Sequence, residues 1–105
     1  MIEPKGLTKN TTEEIKKILL SQLPSKKKLF VYIFGSRSKN TYQKYSDLDL
    51  WIEADPPLSA REITHILEQF EESNLAIQID IVSPETCLRD YLPQIQKEKQ
   101  LWFSS

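Results

Sequence analysis

Three aspartates and one Gly-Ser pair are the residues of this chain best suited to chemistry. Asp47 and Asp49 stand two apart in "SDLDL", and Asp80 stands inside "IQIDIV". Residues two apart in a strand share a face, so Asp47 and Asp49 project together. Asp80 falls on the face opposite Ile77, Ile79 and Ile81, and aspartate is disfavoured inside strands. Taken singly, the first pair passes for a solvated turn and Asp80 for the wet face of an edge strand. If the two polar faces coincide, three like charges crowd together, which raises carboxylate pKa values and destabilises the fold. A divalent cation removes that cost. Hard oxygen donors suit Mg2+, which leaves coordination positions to water and substrate phosphates. Two such ions can activate an attacking oxygen and stabilise a leaving one in an in-line displacement. Asp47, Asp49 and Asp80 are therefore the candidate catalytic and metal-binding residues.

Gly35 and Ser36 are candidates for the phosphate side. A strand ending in Gly-Ser lets backbone N–H groups approach an anion. "SRSKN" can form one short helical turn with Ser36 as its cap. Arg37 and Lys39 add local positive charge, and Arg37 is counted with Gly35 and Ser36 as a nucleotide-binding candidate. The "GxxxxGK[ST]" pattern of a P-loop is absent.

The elements that must position these residues can be read from periodicity. Residues 1–10, with Pro4 and Gly6, are expected to be a loose arm. "TTEEIKKILLSQL" predicts a helix with Thr11 and Glu14 at capping-box spacing and a stripe of Ile15, Ile18, Leu19 and Leu23, closed by Pro24 and Ser25. Leu29 to Phe34 predicts a buried strand ended by Gly35. Asp47 to Ala54 predicts the next. Leu48, Leu50, Ile52 and Ala54 lie on one face, with Asp47, Asp49, Trp51 and Glu53 on the other. "LSAREITHILEQFEES" predicts a helix capped by Ser59 and Glu62, with Ile63, Ile66, Leu67 and Phe70 buried. "NLAIQIDIV" predicts a third strand. "SPET" predicts another helical start, with Ser83 as N-cap and Pro84 first in the helix. "LPQIQKEKQ" predicts the last helix, and "LWF" an apolar end docked on the core. The first two strands should pair antiparallel, and the second and third parallel through a right-handed crossover. The expected fold is α+β: a small mixed sheet in order 1-2-3 with helices packed on it.

At these residues the sequence resembles the nucleotidyltransferase superfamily of the DNA polymerase β type. The resemblance rests on "GSRSKNTYQKYSDLDL" followed by "IDIV", and covers residues 11 to 103. It is similar in particular to the minimal, MntA-like antitoxins of the MNT/HEPN toxin–antitoxin type. The resemblance implies that Asp47 and Asp49 are the metal-binding pair. Asp80 becomes the third carboxylate, which helps bind metal and activate the incoming hydroxyl, and Gly35 and Ser36 the triphosphate-binding turn. It implies transfer of AMP from ATP, with Mg2+ and release of pyrophosphate, to a tyrosine of a helical HEPN-domain ribonuclease toxin held in a hetero-oligomer. Two positions depart from the family pattern. Asn40 stands where a Gly falls in "GSRARG", and Asn tolerates the left-handed conformation best after Gly. Glu98-Lys99 replaces an "EG" before an apolar pair.

Size and composition narrow the field. The 105 residues argue for a single domain over 1–105. Lys plus Arg number 14 against 15 Asp plus Glu, so no global basic field exists to drive direct DNA binding. One cysteine allows no internal disulfide, and one histidine makes a structural zinc site a poor fit. No apolar run reaches the roughly 20 residues of a membrane span, and a cytoplasmic location is expected. Trp51 is expected to pack under a helix, with stacking on adenine as the alternative. Tyr42 and Tyr45 are expected to line a substrate entrance or anchor the spacer loop. His65 is expected at the surface or in boundary packing, Cys87 to pack as a small hydrophobe, and "KKK" at 26–28 to be solvated. Two other functions compete: a non-catalytic module that neutralises a HEPN partner by contact, with the apolar end as its interface, and a transferase acting on a small molecule or RNA.

Overall fold

The computed structural model describes residues 2–22, 27–39, 41–44 and 46–105. The expectations for Leu23, Pro24, Ser25, Lys26, Asn40 and Tyr45 lie outside them. The regular elements are α1 (Lys9–Gln22), β1 (Lys28–Phe34), a 3-10 turn (Ser36–Ser38), β2 (Leu48–Asp55), α2 (Ala60–Glu72), β3 (Ile79–Val82), α3 (Leu92–Glu98) and β4 (Gln100–Ser104). β1 pairs antiparallel with β2, and β2 pairs parallel with β3, as the patterning requires. The sheet nevertheless has four strands, in order β3-β2-β1-β4. The "LWF" segment does more than dock. It forms an antiparallel strand on the open edge of β1, with Phe103 opposite Val31 and Leu101 opposite Tyr32. The register slips there by one residue, a bulge that lets both Trp102 and Phe103 enter the core. Covering the edge removes a row of unpaired backbone groups.

The core lies on one face of this sheet. Leu29, Val31 and Ile33 of β1 join Leu48, Leu50 and Ile52 of β2 under α1 and α2, which contribute Ile15, Leu19, Ile63, Ile66 and Phe70. Burying each such side chain contributes about 1.5–3 kcal/mol. α2 starts at the predicted capping box: Ser59 Oγ accepts from the Glu62 N–H, and Glu62 Oε1 accepts from the Ser59 N–H. Lys27, expected to be solvated, instead pairs with Glu62 and donates to the Pro57 carbonyl.

Several local expectations are corrected. α1 begins at Lys9, and its first turn is held by Thr8, whose Oγ1 accepts from the Thr11 N–H at 3.2 Å. Thr8 and Thr11 have the same spacing as Thr11 and Glu14, and the earlier threonine wins because the chain already turns there. The segment before it is tied down: Ile2 N–H donates to the Leu101 carbonyl, Lys5 N–H to the Arg37 carbonyl, and Pro4 is buried. "SPET" makes a single turn, with Thr86 and Cys87 N–H groups both on the Ser83 carbonyl, and no helix grows from it. β3 is shorter than its apolar run, spanning only Ile79–Val82. Among the described residues, no helix is long and apolar enough to cross a membrane.

Candidate active site

The face of the sheet opposite the core carries the predicted carboxylates. Asp49 is the second residue of β2, directly opposite Phe34 of β1 and in register with Asp80 of β3. Neighbouring strands are about 4.8 Å apart, so the two aspartates are adjacent. Asp47 stands exposed just before β2 begins. Burial, then the charge of Asp80, then that of Asp47, push the Asp49 carboxyl up to about 6. Burial is the largest cause, and the like-charge crowding expected from the spacing adds to it.

Gly35 closes the site from the β1 side. Its φ is +75°, a left-handed value that L side chains rarely adopt. A Cβ built on it would stand 2.5 Å from Asp49 Oδ2. The glycine thus lets the backbone turn and lets the carboxylate occupy the space beside it. Gly35, rather than Ser36, takes the cap position of the 3-10 turn, and Ser38 Oγ donates to the Gly35 carbonyl at 2.6 Å. Ser36 opens that turn, half-buried, and its carbonyl accepts from the Lys39 N–H.

Arg37 is placed differently from expectation. It is 1% exposed. Its Nε donates to the Ser46 carbonyl at 3.0 Å, Nη1 to the Lys5 carbonyl at 2.8 Å, and Nη2 to the Gln43 and Lys44 carbonyls. The guanidinium therefore staples the spacer loop to the N-terminal segment instead of facing phosphates. A guanidinium presents five donors in a fixed fork, and here backbone carbonyls occupy that fork. The exposed cation of the turn is Lys39, which sits on Glu98 at 2.8 Å.

Gly35, Asp49 and Asp80 share one open cleft of about 900 Å3 with the segment after β3 and with α3. Cys87, only partly buried, lines it. Trp51 is fully buried, and the Lys99 ammonium lies 5.5 Å from its ring and 4.4 Å from that of Tyr32. Lys99 also pairs with Glu53 at 3.5 Å. The position where a glycine was expected thus supplies the cover for Trp51, which rules out base stacking on that ring. His65 is exposed on α2.

The donor set fits a divalent cation. Three carboxylates offer hard oxygens, and burial together with the charges of Asp80 and Asp47 disfavours an ionised Asp49, a cost that a cation would offset. Among the described residues, no three His, Cys, Asp or Glu side chains close into a ready metal-binding group. An octahedral ion that takes one or two carboxylates and completes its shell with water and phosphate needs no such cage.

Comparison with known proteins bears on the family and the fold. The pattern of the Nucleotidyltransferase domain family matches residues 12–103. Over 67 residues, 64% of this chain, the sequence is 39% identical to the Haemophilus influenzae protein named Probable protein adenylyltransferase MntA. The match spans 59% of that relative's length. A solved toxin–antitoxin structure with AMP-PNP superposes with a TM-score of 0.69 at 24% identity, over 91% of this chain and 73% of that one. A structure from Sulfolobus solfataricus assigned to the nucleotidyltransferases superposes with a TM-score of 0.52 at 21% identity, over 94% of this chain and 91% of that one. At such identities the structural likenesses establish a common fold.

Proposed function

The chain belongs to the Nucleotidyltransferase domain family, and on that premise we propose that it transfers AMP from ATP to a protein hydroxyl. The acceptor proposed is a tyrosine of a helical HEPN-type ribonuclease toxin, which the transfer silences. The observation that carries this reading is the convergence of Gly35, Asp49 and Asp80 on one cleft, with the Asp49 carboxylate filling the space a Cβ would take at Gly35.

Asp47, Asp49 and Asp80 would hold Mg2+, in one or two ions. When bound, the ion neutralises charge on the phosphates and lowers the barrier to displacement. The remaining work falls to the chain itself. The turn at Gly35 and Ser36 brings backbone against the triphosphate, and Lys39 leaves Glu98 to meet it. The acceptor hydroxyl oxygen attacks the α-phosphorus, the bond from that phosphorus to the bridging oxygen breaks, and pyrophosphate leaves. Asp80, exposed at the strand edge, receives the hydroxyl proton.

The similarity to MntA supports the protein acceptor. The contact-only alternative leaned on a free apolar end, and Trp102 and Phe103 are buried in the protein's own core. The test is incubation of the purified chain with ATP, Mg2+ and its toxin partner, read by mass spectrometry. AMP should appear on the partner, and Asp49→Asn should abolish it. Labelling that persists in that variant would refute the site, and silencing of the toxin by an Asp47/Asp49 double variant at full strength would favour contact over chemistry.

A further inference from the structure

The cleft is chemically mixed. Gly35, Asp49 and Asp80 line it, and so do Leu88, Tyr91 and Ile95. Among the described residues, the large apolar side chains left exposed are Leu20, Tyr42, Leu88 and Tyr91. Two of these four belong to this one cleft, Leu88 at 67% and Tyr91 at 62% exposure. One turn holds both, since the Tyr91 N–H donates to the Leu88 carbonyl at 3.0 Å. Apolar surface gathered beside a charged site is the pattern of a ligand pocket with a flat, weakly polar portion to cover.

We propose that Tyr91 and Leu88 form the shelf on which the nucleobase of the donor nucleotide stacks. The inference rests on the transferase reading and deepens it. A nucleotide combines the same two chemistries as the cleft lining: a polyanion and a flat aromatic ring. Aromatic side chains stack on bases whatever their sequence, because every base presents a π face. The other aromatic rings near the carboxylates do not serve. Trp51 is buried under Lys99, and Phe34 lies opposite Asp49, next to Gly35. The cleft's 900 Å3 exceeds what a metal ion and three phosphates require, and is of the size that encloses whole small-molecule ligands.

The experiment measures Mg2+–AMP-PNP and inorganic tripolyphosphate binding to the full chain by calorimetry, for the wild type, Tyr91→Ala, Tyr91→Phe and Leu88→Ser. Circular dichroism confirms that each variant is folded. Tyr91→Ala should weaken AMP-PNP about tenfold, Leu88→Ser should weaken it less, and Tyr91→Phe should restore it. Tripolyphosphate affinity should stay the same throughout. Equal AMP-PNP affinity in the wild type and Tyr91→Ala overturns the shelf. So does a parallel loss of tripolyphosphate, which marks a structural role, and so does AMP attached to Tyr91, which marks an acceptor. Loss of toxin binding with nucleotide affinity intact assigns the rim to the partner and also overturns the shelf. A wild type that binds neither probe overturns the transferase reading itself, an outcome distinct from all of these.

Discussion

The chain has two glycines, and they make an instructive pair. Both have left-handed φ, +75° at Gly35 and +80° at Gly6, and at both the space for a Cβ is taken by another side chain. At Gly35 the occupant is the Asp49 carboxylate; at Gly6 it is the Tyr42 ring. The first glycine holds a charge in a place where burial and two neighbouring aspartates make it unfavourable. The second belongs to a clamp. Arg37 lies 5.5 Å from the same Tyr42 ring and binds carbonyls on both the N-terminal segment and the spacer loop. The same backbone device thus admits a carboxylate at the proposed site in one place and an aromatic ring in a structural clamp in the other. What decides is the side chain admitted, not the glycine.

Substitutions can pull the two regions apart. The largest effect is expected at the site: Asp49→Asn should cut the transfer rate about a thousandfold, roughly 4 kcal/mol of barrier, with the fold intact. Gly35→Ala should cost about a hundredfold, near 3 kcal/mol, because the methyl group displaces the carboxylate; a transfer assay with a melting curve reads both. Arg37→Ala should act the other way round. It should lower unfolding free energy by about 2–3 kcal/mol, since the buried guanidinium's hydrogen bonds to four backbone carbonyls are lost, and urea titration should detect this while folded protein keeps its nucleotide affinity. Gly6→Ala should cost about 1–2 kcal/mol of stability. Part of that should return in the Gly6→Ala/Tyr42→Ala double variant, because Tyr42 then no longer blocks the methyl. Non-additivity in that pair, and none between Gly6→Ala and Gly35→Ala, would establish the clamp and the site as separate.

The smallest effect is a pH dependence of the metal-free protein. The Asp49 pKa is raised in the fold, to about 6 from 3.8. The fold therefore favours the protonated carboxyl, and that stabilisation is complete below 3.8 and lost as the pH rises through about 6. Asp49→Asn escapes the loss. Discounted for its partial exposure, the gain is about 1 kcal/mol. Metal-free Asp49→Asn should thus melt above the wild type at pH 7.5, with the gap closing near pH 4 and shrinking when Mg2+ is added. A wild type that melts higher at pH 7.5 would contradict the cost that burial and the neighbouring carboxylates place on an ionised Asp49.

Much of the framework was legible because it follows local rules. The Ser59–Glu62 cap needs only four consecutive residues, and it formed as spaced. The alternation in β2 placed Leu48, Leu50 and Ile52 in the core and Asp49 opposite them. Other features escaped because their partners are far away in sequence. Arg37 was assigned to phosphates, since a cation after Gly-Ser is the nearest available charge; its true partners are carbonyls of Lys5, Gln43, Lys44 and Ser46, which only loop closure brings together. β4 pairs with β1 across some 70 residues, and an apolar triplet cannot announce its own register. Lys99 was noticed only as a missing glycine, and its packing over Tyr32 and Trp51 needed three strands in place.

By itself the sequence determined the face of each strand and the pairing of β1, β2 and β3, because the period of two and the length of a connection are local constraints. It also singled out the carboxylates as candidates, because Asp47, Asp49 and Asp80 fall on the polar faces of apolar strands, where like charges can meet. Tertiary structure alone decided which cation turns inward, which strand seals the sheet and which aromatic ring stays exposed beside the site. Those outcomes depend on burial and on hydrogen-bond partners from distant segments, which exist only once the chain has closed on itself.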